Sequence, residues 1–295
     1  MQPLKDLYIL ILNYNSYQKT ISLFDTLHSG ALDFARVIVI DNNSSNLSKE
    51  QLQEHIPKEQ LILLNENKGY ASGNNKGILK AIEDKTKAVF ILNPDINITP
   101  NTVESLYKKL QNLPNVGAIG TRICYRNKPE IIYSDGGLIN KEMGFHTYHL
   151  NSGKSIYEVQ SKSLNKVDYV NGSVFMVKTE VFEKVGLMIE SFFLYFEETE
   201  WCLRAKSQGF ELYVDPSLTA YHLSSPKNKR YHFYMTRNRL WLAKKYPKYY
   251  KKTRQILKVQ IINKIKSNIK KLKLQDKILF AKLKGYILGI MTQAK

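Results

Sequence analysis

Cysteine is nearly absent from this 295-residue chain, and the two present, Cys124 and Cys202, form no C-x-x-C pair and no metal-ligand spacing. That excludes a disulfide framework, and Cys202, flanked by Trp201 and Leu203, reads as a buried, reduced thiol. Long hydrophobic runs are also missing. No segment approaches about 18 uninterrupted apolar residues, so a spanning helix is not indicated. The start, Met1-Gln2-Pro3-Leu4-Lys5-Asp6, leads straight into a strand-like run and lacks the layout of a signal peptide. These absences point to the cytosol. Internal repeats are not evident. Acidic residues all but vanish near the end: from Pro226 onward 21 Lys and Arg face a single acid, Asp276. The other 225 residues hold 23 bases and 25 acids, so the net charge of +18 belongs to the C-terminal segment.

What is present is an alternation. Apolar runs at residues 7–12, 37–40, 61–64 and 88–92 read as strands, and residues 17–29, 71–84 and 101–112 as helices, the last introduced by Thr99-Pro100. This order predicts right-handed β-α-β units and a mostly parallel sheet between helices. Three of the strands end in polar turns: Asn13-Tyr14-Asn15, Asp41-Asn42-Asn43-Ser44-Ser45 and Asn93-Pro94-Asp95. Ligands of open α/β sheets bind at such carboxyl ends, so a polar ligand site is expected there. Residues 131–150 read as hairpin or loop, 167–170 and 174–177 as strands around Asn171-Gly172, and 197–208 as a helix ended by Gly209. Residues 224–230 read as a mobile basic loop. Beyond it, Ile262, Ile265, Ile269 and Leu272, then Leu279, Leu283, Tyr286 and Ile290, recur at helical spacing among lysines, predicting one or two basic amphipathic helices.

Seven segments, in order, resemble the family 2 glycosyltransferases, and among them the rhamnosyltransferase-like branch. They are Ile11-Leu12-Asn13-Tyr14-Asn15-Ser16, Val39-Ile40-Asp41-Asn42-Asn43-Ser44-Ser45, Asn67-Lys68-Gly69-Tyr70-Ala71-Ser72-Gly73-Asn74-Asn75, Leu92-Asn93-Pro94-Asp95, Val170-Asn171-Gly172-Ser173, Phe193-Leu194-Tyr195-Phe196-Glu197-Glu198-Thr199-Glu200 and a lone His222. The likeness spans about residues 5–245. It implies an A-type glycosyltransferase fold over residues 1–245, followed by a basic amphipathic helical extension over 246–295. It also implies an inverting transfer of a sugar, rhamnose the leading expectation, from a dTDP- or UDP-sugar to a glycan or lipid-linked saccharide during bacterial surface polysaccharide synthesis.

The residues carry those expectations unequally. Asp41 is placed to bind base or ribose, or equally to close an Asx-turn. Asn13 either lines the same pocket or caps the following helix. Gly69 and Asn74 belong to a glycine-containing loop that opens a helix, where backbone approaches closely and anions are favoured. The resemblance makes Asn93 and Asp95 the donor diphosphate motif, with Asp95 and His222 holding Mg²⁺ or Mn²⁺. Position 93 is Asn where an Asp-x-Asp motif has its first carboxylate. Glu197, Glu198 and Glu200 crowd the start of a helix; like charges so placed raise a carboxyl pKa, which suits a base. The resemblance assigns the base to Glu198, the acceptor contact to Glu197 and Gly172, and a place near the donor phosphates to Arg237. One alternative is a non-catalytic nucleotide-sugar or glycan binding protein on a degenerate scaffold. A sugar-nucleotide pyrophosphorylase lacks support, because no early Gly-rich loop is followed by Arg and Lys. Nucleic acid is not an expected partner, since the basic tail has no recognised motif. The expected location is cytoplasmic, peripheral on the inner face of the membrane, where clustered lysines meet anionic lipid.

Overall fold

The structure is a computed structural model describing residues 5–30, 32–159, 163–223, 227–270 and 275–294. Its first half contains β1 (Leu7–Asn13), α1 (Tyr17–His28), β2 (Ala35–Asp41), α2 (Ser48–His55), β3 (Leu61–Leu63), α3 (Tyr70–Glu83), β4 (Ala88–Leu92), β5 (Ile96–Asn97), α4 (Pro100–Asn112) and β6 (Val116–Tyr125). Then follow β7 (Lys128–Ser134), β8 (Gly137–Asn140), β9 (His146–His149), β10 (Asn165–Lys166), β11 (Val174–Lys178), α5 (Thr179–Val185), α6 (Glu197–Ser207) and β12 (Glu211–His222). Three helices close the chain: α7 (Lys229–Lys244), α8 (Pro247–Lys270) and α9 (Lys277–Met291).

The main sheet runs β10-β12-β6-β11-β4-β1-β2-β3, with β5 added to β12 and β7 to β6. Pairs among β1, β2, β3 and β4 are parallel, whereas β11 is antiparallel to both β4 and β6. Because strand side chains alternate, β1 is buried on both faces. Leu7, Ile9 and Ile11 join the α1 and α4 side, and Tyr8, Leu10 and Leu12 join the α3, α5 and α6 side. Burial of each such aliphatic side chain contributes on the order of 2 kcal/mol. Helix α3 approaches closely through Gly73 and Gly77, where a Cβ would meet Leu12 Cδ1 at 2.3 Å and Leu10 Cδ1 at 2.6 Å. Thr99 caps α4 by accepting from the Thr102 N–H at 3.2 Å, with Pro100 at the first helical position.

The expected β-α alternation is present, and residues 128–149 hold β7 and the β8–β9 hairpin. Two expectations need correction. Residues 167–170 are not a strand; only Tyr169 bridges, to Gly137, and the strand lies earlier at β10. Residues 229 and 230 of the expected basic loop are the first turn of α7, capped by Asn228, whose side chain accepts from Arg230 N–H at 2.9 Å and Tyr231 N–H at 3.2 Å. Residues 224–226 of that loop, and Leu272, lie outside the described residues. The expected amphipathic helices are α8 and α9. Leu279, Tyr286 and Ile290 are half-buried, and Tyr286 donates to Arg254 O at 3.3 Å, joining α9 to α8. The Gly285 and Gly289 face of α9 abuts Phe233 and Leu240 of α7. Both cysteines are free and buried, and desolvation pushes the Cys124 thiol up to about 11.

Candidate active site

Registration of β1 with β2 sets Asn13 beside Asp41 at the carboxyl edge. Asn13 Nδ2 donates to Asp41 Oδ1 at 2.7 Å, and Thr20 donates to Asn13 Oδ1 at 2.8 Å. Ser44 closes an Asx-turn on Asp41, through its N–H to Oδ2 at 3.0 Å and its hydroxyl to Oδ1 at 2.6 Å. The two side chains are almost wholly buried and hold each other and the 41–45 turn. The neighbouring Asn42, which the sequence reading did not single out, donates to Asn67 Oδ1 and Gly69 O, both at 3.1 Å. Its buried Oδ1 has no partner, and neither has Asn74 Oδ1. Buried acceptors of this kind are uncommon without a ligand or water.

Gly69 has φ +101°, and a Cβ there would lie 2.2 Å from Phe193 O. Only glycine fits, because both the left-handed backbone and the contact exclude a side chain. The Tyr70 N–H donates to that same carbonyl at 2.7 Å, so the glycine loop and the segment before α6 are locked together. That segment is strained: Phe193, Tyr195 and Phe196 all have positive φ, at 66°, 68° and 76°. Asn238, fully buried on α7, holds it by donating to Phe192 O, Leu194 O and Tyr195 O at 3.0, 2.9 and 2.7 Å.

The 193–196 segment delivers the acids of α6, but not equally. Glu200 is buried against Arg204, with Nε at 2.9 and 3.0 Å from its two oxygens, and against Lys245 Nζ at 2.8 Å. It anchors helices. Glu197 and Glu198 instead face inward, and Glu197 Oε2 is buried without a partner. Desolvation, then the Glu198 charge, holds the Glu197 carboxyl well above its ordinary range. Glu198 is raised by burial and eased down by its own N–H, by the Thr199 hydroxyl at 3.3 Å and by the Thr199 N–H. Both carboxyls therefore hold their protons to higher pH than exposed acids would, Glu197 the more strongly.

Tyr70, overlooked in the sequence, ties these groups together. Its hydroxyl donates to Gly172 O at 2.6 Å, and a Cβ on Gly172 would stand 3.4 Å from Glu198 Cγ. Burial, then Glu197, Glu198 and finally Asp95, raise the phenol well above its ordinary value. Asp95 follows β4 in a turn closed by Ile96 N–H to Asn93 O at 3.1 Å, with the Asn93 side chain half-buried at the same turn. Pairing of β5 with β12 sets Ile96 opposite His222. His222 Nε2 lies 3.2 Å from Asp95 Oδ2, its ring is flanked by Tyr133 at 5.6 Å, and its buried Nδ1 has no partner.

Among the described residues no cluster of three or more His, Cys, Asp or Glu converges as a metal centre. The Asp95–His222 pair nevertheless suits a divalent ion shared with a diphosphate. Two ligands bound at about 2.1 Å and at right angles stand roughly 3.0 Å apart, close to the separation seen here, and phosphate and water oxygens complete such sites. Arg237 lies elsewhere. Its Nη2 donates to Phe192 O at 2.7 Å, its Nε to Asn238 Oδ1 at 2.8 Å, and its guanidinium lies 3.9 Å from the Trp241 ring centre. Burial lowers it to about 10. Its contacts brace the 191–196 segment, and none joins it to Asp95 or His222.

A sheet switching from parallel to antiparallel beside an acid–histidine pair, with carboxylates at the start of α6, defines an A-type glycosyltransferase fold, and solved structures agree. A mannosyltransferase from Pyrobaculum calidifontis in complex with GDP-Man and Mn²⁺ superposes with TM-score 0.57 at 12% identity, covering 98% of this chain and 87% of that one. GalNAc-T7 with UDP, GalNAc and Mn²⁺ gives TM-score 0.61 at 14% identity, over 83% of this chain and 48% of that one. The model of Glycosyl transferase family 2 matches residues 8–186, and the chain belongs to that family. Curated relatives include a low-salt glycan biosynthesis hexosyltransferase of Haloferax volcanii, 31% identical over 71% of this chain and 64% of its own length. A dTDP-rhamnosyl transferase of Shigella flexneri is 27% identical, over 76% and 71%. An N-acetylglucosaminyl-diphospho-decaprenol L-rhamnosyltransferase of Mycobacterium tuberculosis is 23% identical, over 63% and 66%.

Proposed function

We propose that this protein transfers a sugar, rhamnose first among candidates, from a dTDP- or UDP-sugar to a saccharide carried on a lipid, with inversion, in surface polysaccharide synthesis. In this reading residues 1–245 perform the transfer and residues 246–295 are a basic extension. The observation that carries it is geometric: Asp95 stands 3.2 Å from His222, and Glu198 lies against Gly172, whose carbonyl the Tyr70 hydroxyl holds at 2.6 Å. Two relatives named for rhamnose transfer support the sugar.

Asp41, Asn42 and Asn74, with the Gly69 loop and Asn13 behind them, line the donor's nucleoside, and the unpaired oxygens of Asn42 and Asn74 accept from its base or ribose. Asp95 and His222, next to Asn93, would hold Mg²⁺ or Mn²⁺, and the ion would supply positive charge to the donor's diphosphate. Glu198 accepts the proton of the acceptor hydroxyl as that oxygen bonds to the anomeric carbon. The bond from that carbon to the diphosphate oxygen breaks on the opposite side, and the nucleoside diphosphate takes the electron pair. Glu197, its carboxyl raised by burial, donates to the acceptor. Tyr70, held protonated, fixes the Gly172 wall against which the acceptor sits.

The tail supports work at an anionic membrane surface. No helix among the described residues is long and apolar enough to cross a membrane. Yet α8 exposes Val259, Ile262, Ile265 and Ile269, and α9 exposes Phe280, Leu283, Ile287 and Met291, each row amid lysines. Apolar rows so flanked suit insertion at a headgroup boundary.

Glu198→Gln tests the central claim. The variant should fold and bind donor, while transfer falls about 10²–10⁴-fold, as loss of a general base does. Glu198→Asp should keep measurable transfer. A full loss at Glu200→Gln with normal turnover by Glu198→Gln would move the base elsewhere.

A further inference from the structure

Outside the acid-lined site, a cavity of about 330 Å³ opens between β9, α7, α8 and α9. Five basic side chains line it, namely His146, Lys227, His232, Arg239 and Lys282, and no acid does. Arg239 reaches in from α7 and is fixed by donating to Met143 O and Gly144 O; these are neutral carbonyls, which leave its charge unbalanced. Lys227 lies over the Tyr231 ring at 5.7 Å rather than beside a carboxylate. Burial, then Lys282 and Lys227, lower the His232 pKa against a small opposing pull from Asp276, and burial, then Arg239, lower that of His146. The cavity therefore holds a net positive field with imidazoles ready to donate or accept. Thr147, Thr236 and Gln260 add neutral polar groups, and one side is apolar, with Phe145, Met235, Leu257 and Ile261 leading onto the helix whose exposed row is Val259, Ile262, Ile265 and Ile269.

Its position matters as much as its charge. Phe196 is both a wall of the cavity and the residue immediately before Glu197. Tyr231, another wall, packs edge-on against Tyr195 at 5.2 Å. A ligand in the cavity thus abuts the segment that carries the inward acids. A larger cavity, about 500 Å³, lies near Lys5, His28 and Gln60 at the amino ends of β1 and β2, the wrong end of a sheet for this chemistry.

We infer that the basic cavity binds the phosphate groups linking the acceptor saccharide to its lipid, with the lipid chain leaving along the apolar side of α8 and the sugar directed past Phe196 toward Glu198. A polar, polyanionic headgroup joined to a hydrocarbon chain matches three permanent cations beside an aliphatic wall. Lysine and arginine supply the charge, and neutral histidines add hydrogen bonds. This rests on the transferase reading above but assigns it a second, separate ligand site.

The test uses the full chain and farnesyl diphosphate, a soluble short-chain lipid diphosphate, followed by isothermal titration. The wild type should bind it more tightly than farnesol or inorganic pyrophosphate alone. The double variant Lys227→Glu/Lys282→Glu should weaken it at least tenfold, Lys227→Arg/Lys282→Arg should not, and affinity for dTDP or UDP should stay as in the wild type. Equal binding of farnesyl diphosphate by the wild type and the charge-reversed variant would overturn the assignment. So would a parallel loss of dTDP or UDP affinity, which would mean that the two sites are not separate. Displacement of the probe by phosphatidylglycerol vesicles would assign the cavity to a membrane headgroup and overturn the acceptor role. Hydrolysis of the sugar donor by the same preparation reports on the transferase reading independently. If hydrolysis occurs and farnesyl diphosphate does not bind, only the cavity assignment falls.

Discussion

Asn238 offers the most quantitative prediction. Its two amide hydrogens serve three carbonyls, Phe192 O, Leu194 O and Tyr195 O at 3.0, 2.9 and 2.7 Å, so one hydrogen is shared. In Asn238→Ala, Phe192 O keeps Arg237 Nη2 at 2.7 Å, but the carbonyls of residues 194 and 195 lose this donor. A buried acceptor left unpaired costs about 1–3 kcal/mol, and these two are only partly buried, so the loss should be about 2–4 kcal/mol. The three left-handed residues 193, 195 and 196 would then relax toward ordinary backbone, shifting Glu197 and Glu198. Displacement of reacting groups by about 1 Å can cost on the order of 10² in rate. Urea unfolding should show the midpoint drop, and steady-state transfer should show kcat falling further than donor affinity. Asn238→Asp, of the same shape, replaces the donor with a carboxylate facing three carbonyl oxygens, so its destabilisation should grow as pH rises above about 4. An unfolding midpoint and transfer rate for Asn238→Ala equal to those of the wild type would refute this account of the segment.

Other outcomes follow from the same geometry. Because the Glu197 and Glu198 carboxyls are raised in the folded state, the native protein binds more protons than the unfolded chain above their ordinary value of 4.5. Stability should therefore fall as pH rises from that value through the folded range, and Glu197→Gln should flatten this decline in thermal melts between pH 5 and about 9; an unchanged slope would argue against the buried pair. Asp95→Asn should remove most transfer and most of the Mn²⁺ enhancement of nucleotide binding, and His222→Ala should weaken that enhancement with less effect on metal-free binding. Normal metal dependence in both would dismiss the pair as ligands. For the tail, Ile262→Asp/Ile269→Asp together with Phe280→Asp/Ile287→Asp should abolish co-sedimentation with phosphatidylglycerol vesicles while leaving the melting temperature near that of the wild type. These exposed positions make a cleaner probe than truncation, which would uncover the α7 surface packed on Gly285 and Gly289. Pelleting equal to wild type would refute membrane docking by these rows.

Local pattern reached far into this molecule where the physics is local. Strands β1, β2 and β4 are unbroken apolar runs because a parallel strand covered on both faces has no polar side, and their polar ends follow from the chain leaving the core. The acidic opening of α6 and the lysine-rich tail are equally visible. Strands β6 and β12, which extend the sheet beyond β11, were missed for identifiable reasons. Gly117, Gly120 and Arg122 dilute β6, and Asp215-Pro216-Ser217 interrupts β12, which continues through a register shift between Asp215 and Thr219. Their place was decided by pairing with distant strands, which no periodicity records.

The sequence by itself determined the alternation of strands and helices, the family, the polar strand ends and the location of the charge, since each depends on residue type and near-neighbour spacing. Only the tertiary structure decided which of three adjacent glutamates anchors helices and which two face inward. Helical rotation separates them, and Arg204 of α6 and Lys245, just past the end of α7, claim Glu200. It alone turned Arg237 and Asn238 onto the strained segment, showed that the expected Asp95–His222 pair is joined through β5 and β12, and rotated Gly285 and Gly289 inward so that Phe280, Ile287 and Met291 face out. Those choices depend on contacts between residues tens to hundreds of positions apart, and such contacts exist only once the sheet has closed its core and the helices have packed upon it.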